Sequence, residues 1–338
     1  MSPLRRLSLP SSLPDFASND YLGLARSALL LQTTQTILEK VGRIGSTGSR
    51  LVTGNSLYTQ ALEEYIAQFH GSETALLFGS GYMANMGLLS ALDQTIYFDT
   101  HVHPSVKDGI CLSRQKSLRL RHNDLNHLEW RLKKGVGIVC VNSIYSTDGS
   151  RAPLQQIQEL TERYGCSLIV DEAHAIGIYG KNGRGLAPTH VFARVITFSK
   201  ALGCYGGAVL CSHALKSRLL NRARPCIYST ALSYPLLAAI QATYALFPQM
   251  DKERALLHEL MWGESHIAVI PYQEQLTPPF ALAHLRPPTV AKPVWRISLH
   301  AYNTFSQVRR LTQWIASLSP GSTPMWAKPS LPQSSPIS

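Results

Sequence analysis

Two short segments of the chain combine residue types that could do chemistry together. Asp171 directly follows the apolar run Ser167–Val170, and Lys200 closely follows the apolar run Val195–Phe198. Such runs are typical of buried parallel strands, whose carboxyl ends meet at one edge of an open sheet. The sequence therefore predicts that a carboxylate and an amine share one crevice. This pair suits a pyridoxal phosphate site, where the lysine forms a Schiff base and the aspartate pairs with the pyridinium nitrogen.

Each half of the pair also has an ordinary explanation. An aspartate at the end of a strand often caps a turn, and the Thr197-x-x-Lys200 spacing is too common to be specific. Asp171-Glu-Ala-His174 also matches the Walker B motif of DEAH-type helicases. That function requires an upstream loop of the form G-x-x-x-x-G-K-[ST], and the nearest match, Gly177 to Lys181, has the wrong spacing. The pairing and order of the segments therefore favour the cofactor site.

Other polar residues could complete the same site. Ser80-Gly81-Tyr82 precedes the helical stretch Met83–Ala91, so its backbone N–H groups could hold a phosphate, although a simple turn explains it equally well. His103 lies just past the strand-like run Thr95–Phe98, where an imidazole could stack on a flat ring. A structural histidine is the alternative. Thr197 and Ser199 provide hydroxyl groups beside Lys200.

The elements that must position these residues alternate between strands and helices from about residue 50 to 232, which predicts βαβ units and a mostly parallel sheet. The strand-like runs are Ala75–Phe78, Thr95–Phe98, Val136–Val141, Ser167–Val170, Val195–Phe198 and Gly207–Cys211. The helical stretches are Ser56–His70, Met83–Ala91, Asp124–Lys134, Pro153–Tyr164 and His213–Arg222. We therefore predict a large α/β domain over residues 51–232.

The pattern changes after Ser233, and a smaller α+β domain is predicted over residues 233–318. A helix to about Phe247 is followed by three strand candidates and a closing helix. These are Ile267–Pro271, Phe280–Leu285, Val294–Leu299 and Thr304–Leu318. The tail 319–338 is rich in Pro and Ser and is predicted to be disordered.

Composition bounds the function classes. The 338 residues are 45% hydrophobic, which excludes wholesale disorder, and the six cysteines have irregular spacings that indicate no disulfide scaffold or zinc site. No apolar run is long enough for a signal peptide or a membrane span, so we expect a cytoplasmic protein. The 32 basic and 21 acidic residues give a net charge of +11, denser at Arg114–Arg121 and Lys216–Arg224. These patches are either solvated surface or a docking face for an anionic partner; they lack the stacking aromatics of a nucleic-acid site.

Many segments in one order give the chain a family resemblance. It resembles the α-oxoamine synthases, which are fold-type I pyridoxal-phosphate enzymes, over about residues 16–318. The segments that carry the resemblance are Ser18–Leu24, Gly45–Gly54, Leu77–Asn85, His103–Ser105, His122–Asp124, Ser146–Gly149, Asp171–His174, Gly183–Gly185, Thr197–Lys200, Ser229–Leu232, Arg286–Val290 and Arg296–Leu299. The Ser229 and Arg286 segments favour the branch of the family that serves biotin biosynthesis.

The resemblance implies a role for each matched residue, and no metal. Four would be catalytic: Lys200 binding the cofactor, Asp171 pairing with its ring nitrogen, His174 contacting its phenolic oxygen and His103 stacking on its face. The further cofactor contacts would be Gly81 and Tyr82 at the phosphate, Ser146 and Thr197 along the cofactor, and Thr230 at the phosphate from the partner subunit. Thr289 and Arg296 would face the substrate. Residues 1–50 would pack on the small domain and the dimer interface.

The implied reaction is the decarboxylative condensation of L-alanine with a pimeloyl thioester, carried on coenzyme A or acyl-carrier protein, by a homodimer with shared active sites. Two alternatives stay open. One is a sister enzyme that uses glycine or serine with another acyl-CoA. The other is a catalytically silent relative that binds a partner protein, against which Lys200, Asp171 and His174 argue. Asn142 stands where many relatives carry an acidic residue, which affects specificity more than cofactor binding.

Overall fold

The computed structural model describes residues 7, 9 and 12–318, so the predicted disordered tail 319–338 lies outside the described residues. The helices are α1 (Ala28–Val41), α2 (Leu57–His70), α3 (Gly81–Ser90), α4 (Pro104–Ser113), α5 (Leu125–Leu132), α6 (Leu154–Arg163), α7 (His213–Arg222), α8 (Arg224–Ile227), α9 (Tyr234–Leu246), α10 (Asp251–Leu260) and α11 (Phe305–Ser317). The strands are β1 (Asp15–Phe16), β2 (Thr74–Phe78), β3 (Ile96–Asp99), β4 (Ser117–Leu120), β5 (Ile138–Asn142), β6 (Ser167–Asp171), β7 (Ala193–Thr197), β8 (Gly207–Cys211), β9 (Ile267–Pro271), β10 (Ala281–Leu285) and β11 (Val294–Ser298).

Seven strands of the described chain form one large sheet in the order β2-β8-β7-β6-β5-β3-β4. β8 runs antiparallel to both of its neighbours, and the pairs from β7 to β4 are parallel. The predicted α/β class with a mostly parallel sheet is therefore confirmed. The carboxyl ends of β3, β5, β6 and β7 lie at one edge of this sheet, where ligands bind in open α/β folds.

The large sheet is buried on both faces, as its continuous apolar runs require. Along β8, Ala208 and Leu210 pack into one hydrophobic cluster, while Val209 and Cys211 pack into the other. The first cluster also contains the apolar residues of the small sheet and of α9. The large sheet and the C-terminal part of the chain thus share one core, which fixes their relative position.

A second sheet in the described residues has the order β1-β10-β11-β9. β10, β11 and β9 pair antiparallel, and β1 pairs in parallel with β10, with Asp15 opposite Ala281. Asp15 and Phe16 therefore extend the sheet that is formed by residues 267–298. The predicted domain boundaries at residues 50, 232 and 318 stay predictions.

Local signals explain several helix ends. Helix α2 begins after Ser56, whose hydroxyl accepts a hydrogen bond from the Thr59 N–H, and it ends at Gly71, which has a φ of 66°. Glycine adopts this left-handed conformation readily because glycine has no Cβ. Helix α11 carries a capping box in which Thr304 and Gln307 bond each other's backbone N–H. No helix of the described residues is long and apolar enough to cross a membrane.

Six helices and strands of the described chain were not among the predicted ones: α1, α4, α8, α10, β1 and β4. β4 is an edge strand of four residues whose Ser117 and Arg119 are exposed, so its apolar content is too small to reveal it. α10 falls between the predicted helix that ends near Phe247 and the strand candidate Ile267–Pro271. β1 and β4 are edge strands of the two sheets, and all the other strands of the described chain were predicted.

Candidate active site

The strand ends bring the predicted chemical residues to one edge of the large sheet. Asp171 is the last residue of β6 and pairs in register with Asn142, the last residue of β5. On its other side, Asp171 pairs with Val195 of β7, the strand that ends at Thr197 before the turn carrying Lys200. The carboxylate and the amine therefore meet at the same edge, as the sequence predicted.

Lys200 has an unusual environment for a lysine. Its Nζ lies 2.8 Å from Nε2 of His174. Loss of hydration lowers the pKa of Lys200 to about 8; Asp171 opposes this shift, and the positive charge of Arg296 adds to it. A lysine with such a pKa carries a substantial neutral fraction near physiological pH, which is the form that acts as a nucleophile or a base.

The tautomer of His174 follows from the hydrogen bonds behind it. Arg296 Nη2 donates to Asn19 Oδ1 at 2.9 Å, so the Tyr21 hydroxyl, 2.9 Å from the same oxygen, must also donate to it. The Tyr21 oxygen then accepts from His174 Nδ1–H at 2.7 Å. His174 Nε2 is thus left with a lone pair that faces Lys200.

Burial supports this neutral state of His174. Loss of hydration, together with the charges of Lys200 and Arg296, holds the pKa of His174 well below its usual range. Burial also raises the pKa of Tyr21, so its hydroxyl keeps the proton that it donates. The described chain therefore holds a neutral imidazole against the lysine amine.

Asp171 is buried, and both of its carboxylate oxygens accept hydrogen bonds. Oδ1 accepts from the Ala173 N–H at 2.9 Å, and Oδ2 accepts from Asn85 Nδ2 at 2.8 Å. The backbone carbonyl of Asp171 accepts from the Ser143 N–H at 2.9 Å. These contacts fix the orientation of the carboxylate at the sheet edge, where it can pair with a ring nitrogen.

His103 lies at the start of α4, after the end of β3. Its Nδ1 is 2.7 Å from the Ser105 hydroxyl. Burial lowers the pKa of His103; the charge of Asp171 opposes this shift, and that of Lys200 adds to it. His103, Asp171 and Lys200 are therefore close enough for their charges to act on one another.

The N-terminus of α3 crosses the same sheet edge. Ser80 caps the helix by accepting from the Met83 N–H at 3.1 Å, which leaves the N–H groups of Gly81 and Tyr82 without intrahelical acceptors. A Cβ on Gly207 would lie 2.7 Å from Gly81 N, and a Cβ on Gly81 would lie 3.1 Å from Thr197 Cβ. The two glycines thus let the helix start approach the strands closely, in an arrangement suited to an anion.

The residues at this edge fit pyridoxal phosphate. The amine of Lys200, the carboxylate of Asp171, the ring of His103 and the N–H groups that begin α3 match the aldehyde, ring nitrogen, ring face and phosphate of that cofactor. Asn142 Oδ1 is buried beside Asp171 and has no hydrogen-bond partner in the described chain. An unpaired polar atom at this position is typical of a site that a bound group completes.

The structure shows fewer contacts between this group and the other residues with predicted roles. Ser146 is half-buried in the turn after β5, Thr289 is exposed in the loop between β10 and β11, and Thr230 is exposed and forms an isolated bridge with Ser49. Within the described single chain, no hydrogen bond joins them to Lys200 or to its neighbours. Arg296 is buried on β11 and reaches the group through Asn19. The roles of these residues stay predictions.

Several residues of the site had no role assigned from the sequence: Asn19, Tyr21, Asn85 and Ser105. A signal existed for Asn85, which is a lone amide among apolar residues of α3 and is buried. The helicase alternative has no support in the contacts of Glu172. That carboxylate is buried, accepts from the Leu186 N–H at 3.0 Å and pairs with Arg194 at 3.1 Å, so it is structural.

A second polar cluster does not resemble a metal site in its geometry. His101, His122 and Asp148 place one possible ligand atom each within 4.8 Å of the others. The two imidazole rings stack with centroids 3.9 Å apart and planes 18° apart. A ligated ion lies in the plane of each imidazole that binds it. The planes of two stacked, nearly parallel rings meet only far from both rings, so one ion cannot lie in both planes at bonding distance. Hydrogen bonds to Asp148, Asp99 and Ser150 account for this cluster.

Comparisons with known proteins identify the family of this chain. The family model for aminotransferase class I and II matches residues 12–261. A protein of Haemophilus influenzae named putative 8-amino-7-oxononanoate synthase is 39% identical, over 88% of this chain and 89% of its own length.

Two solved structures are similar to this chain in fold. An 8-amino-7-oxononanoate synthase from Francisella tularensis has a TM-score of 0.76 and 28% identity, covering 91% of this chain and 98% of its own. A serine palmitoyltransferase variant from S. paucimobilis, with a bound PLP–myriocin aldimine, has a TM-score of 0.80 and 25% identity, covering 88% of this chain and 84% of its own.

Proposed function

Since this chain belongs to the aminotransferase class I and II family, groups with the putative 8-amino-7-oxononanoate synthases and is a pyridoxal-phosphate enzyme, we propose that it makes 8-amino-7-oxononanoate for biotin biosynthesis. The substrates are L-alanine and a pimeloyl thioester of coenzyme A or acyl-carrier protein. The observation that carries the proposal is the amine of Lys200, 2.8 Å from an unprotonated imidazole nitrogen at the edge where Asp171 ends β6.

The overall reaction balances without an oxidant or a reductant. One carbon–carbon bond forms between the Cα of alanine and the acyl carbonyl carbon. The thiol carrier leaves, and the alanine carboxylate leaves as carbon dioxide. The protein therefore has to remove and return protons and to orient two substrates.

The cofactor and the chain divide this work. When bound, pyridoxal phosphate withdraws electrons from the amino acid and makes its Cα proton acidic. Lys200 in its neutral form takes that proton, and the Nε2 lone pair of His174 orients its Nζ. Asp171 keeps the ring nitrogen protonated, and His103 covers the ring. Arg296, whose Nε is buried without a partner in the described chain, binds the substrate carboxylate.

A homodimer is part of the proposal. The surface segment from the end of α1 to the start of α2 exposes four large apolar residues: Ile44, Leu51, Val52 and Leu57. Ser49 in this segment forms the bridge with Thr230. A second copy that covers this surface would bring Thr230 to the phosphate of its neighbour's cofactor, as the resemblance implies. We place the reaction in the cytoplasm, and the exposed basic side chains around β4 suit an anionic thioester carrier.

The second candidate is a sister enzyme that condenses glycine or serine with another acyl-CoA. The likeness to serine palmitoyltransferase, with a TM-score of 0.80, favours it. Both candidates use the same lysine, aspartate and histidines, so only the substrates separate them.

Product formation tests the proposal. The purified protein, loaded with pyridoxal phosphate, is incubated with pimeloyl-CoA and with L-alanine, glycine or L-serine, and the products are identified by mass spectrometry. We expect 8-amino-7-oxononanoate from L-alanine and no comparable product from glycine or serine. Lys200→Ala should abolish both the product and the covalent attachment of the cofactor, whereas Lys252→Ala, at an exposed lysine of α10, should change neither.

Two outcomes would contradict the proposal differently. Preferred turnover of glycine or serine would favour the sister enzyme. Failure of the protein to bind pyridoxal phosphate at all would favour the silent relative, in which the basic surface binds a partner protein.

A further inference from the structure

Two residues of the proposed cofactor site, Asp171 and His103, are joined by a buried chain of hydrogen bonds. Asn85 Nδ2 lies 2.8 Å from Asp171 Oδ2 and 3.0 Å from the Ser105 hydroxyl. The same hydroxyl lies 2.7 Å from His103 Nδ1. Asn85 and Ser105 are buried, with 3% and 0% of their surface exposed, so water does not compete for these bonds. The aspartate at the end of β6 thereby contacts the histidine after β3 through α3 and α4.

The direction of each proton in this chain can be assigned. A carboxylate oxygen only accepts, so Asn85 must turn its NH₂ group toward Asp171, and its second hydrogen points to Ser105. The Ser105 oxygen is thus an acceptor from Asn85, which leaves its own hydrogen to donate to His103 Nδ1. The Ser105 backbone N–H also points at Nδ1, 3.3 Å away. Two donors converge on Nδ1, so that nitrogen carries a lone pair and the proton of the ring is on Nε2.

We propose that Asn85 and Ser105 are positioning residues that hold His103 as a neutral ring protonated at Nε2. The tautomer follows from the protein alone; its consequence for catalysis rests on the proposed function. The ring that covers the cofactor then adds no positive charge beside Lys200. Its Nε2–H is free of the Ser105 contact and can donate to an anionic group of the substrate.

The charges around His103 agree with a neutral ring. Burial lowers its pKa, and the positive charges of Lys200 and Lys107 add to this shift. The carboxylates of Asp171 and Asp108 oppose it. Asn85 and Ser105 act in the same direction as burial, because a donor at Nδ1 must be displaced before that nitrogen can be protonated.

Nitrogen-15 NMR of the folded protein without added cofactor tests this directly. The protein is labelled with ¹⁵N-histidine, and long-range ¹H–¹⁵N correlations identify which ring nitrogen of each histidine carries hydrogen. His103→Gln assigns the signals. We expect His103 to show one tautomer with Nε2 protonated. A protonated Nδ1 in the native protein would overturn the proposal without any variant.

Three variants separate positioning from general structure. Ser105→Ala removes the donor, so we expect a mixture of tautomers and a His103 titration that moves up toward its usual pKa. Ser105→Thr keeps the hydroxyl and should restore the native signals. Ser113→Ala is the matched control, because Ser113 is a buried serine of the same helix whose hydroxyl donates to the Ile110 carbonyl and accepts from the Gln115 N–H, with no hydrogen bond to His103 in the described chain.

The loaded enzyme supplies the second readout. Ser105→Ala should lower kcat about tenfold, less than the roughly 10²- to 10⁴-fold contribution of a positioned proton donor, because His103 itself is kept. It should also raise the pH of the acidic limb of the pH–rate profile. An unchanged tautomer and titration of His103 in Ser105→Ala would overturn the proposed positioning role of Ser105. Native-like NMR behaviour in a protein that does not form the expected product would instead contradict only the proposed function.

Discussion

At the scale of single residues, the site depends on where protons are held. Lys200 is deprived of hydration and faces the lone pair of His174, whose tautomer is fixed by Tyr21 and Asn19. Deprotonation of Lys200 therefore costs much less free energy than deprotonation of a lysine in water.

This environment predicts the pH dependence of Lys200. With a pKa of about 8, roughly a quarter of the amine is neutral at pH 7.5, against about one part in a thousand for an ordinary lysine. A lowered pKa favours the neutral amine above pH 8, so attachment of pyridoxal phosphate to Lys200 should slow about tenfold for each unit below it. Borohydride reduction at fixed times, followed by peptide mass spectrometry, measures the rate.

Lys252 is the internal control for this measurement, because it is exposed on α10. Its labelling in the same samples reports the reactivity of a lysine outside the site. A midpoint for Lys200 near the ordinary lysine pKa of about 10.4 would contradict the lowered pKa.

The sequence predicted Lys200, Asp171 and His103 because their residue types match a known chemistry, and the family resemblance added His174. It did not reveal Asn85, Ser105 or Tyr21, because each has a contact with a residue on another element of the fold. Asn85 contacts Asp171 only because α3 and β6 meet in the folded protein. Sequence spacing does not encode such contacts, although a lone amide in an apolar helix does indicate that it has a partner.

At the scale of elements, the start of α3 depends on the strands beneath it. β8 lies between β2 and β7, and its first residue, Gly207, pairs with both Phe78 and Thr197. Gly207 therefore sits directly under the helix N-terminus, and its missing side chain makes room for Gly81.

We predict that Gly207→Ala weakens the phosphate end of the site. The added Cβ would lie 2.7 Å from Gly81 N, which is backbone and can yield only by moving the helix start. The affinity for pyridoxal phosphate should fall at least tenfold, as measured by equilibrium dialysis. Pyridoxal, which lacks the phosphate, should lose less affinity.

Gly263→Ala is the matched control, because a Cβ there meets no atom within 4 Å. It should bind the cofactor like the native protein. Equal losses of pyridoxal and pyridoxal phosphate binding in Gly207→Ala would show general unfolding rather than a displaced phosphate site.

The sequence was most informative for the inner strands and least for the outer elements. β8 has the predicted bounds, Gly207–Cys211, because a buried strand must be apolar throughout. α4 was not predicted, since Pro104 and Gly109 obscure its helical pattern and its burial depends on α3. A Cβ on Gly109 would lie 2.9 Å from the Asn85 carbonyl. Glycine at this position therefore allows α3 and α4 to pack closely, although glycine is a poor helix former.

At the scale of the whole molecule, the proposed dimer makes the surface between α1 and α2 functional. Val52 on this surface is 79% exposed, beside other large apolar side chains. Contiguous exposed apolar residues of this kind are typical of contact sites.

Val52→Asp tests this surface. A charge placed in an apolar interface must lose hydration, so we expect the variant to dissociate into monomers and to bind pyridoxal phosphate more weakly. Sedimentation velocity and cofactor titration are the two measurements. Val136→Asp is the control: Val136 is 67% exposed but lies before β5, at the opposite edge of the sheet. A native protein that sediments as a monomer, or identical behaviour of both variants, would contradict the proposed interface.

The pairing of β1 with β10 has a consequence for folding during synthesis. Asp15 and Phe16 leave the ribosome long before their partners, Ala281 and Leu282, are made. The large sheet has all its strands once residue 211 is made. Tyr21 and Asn19, which fix the tautomer of His174, reach their final positions only after the small sheet has formed. A nascent chain would thus carry Lys200 and Asp171 in place well before it could use them.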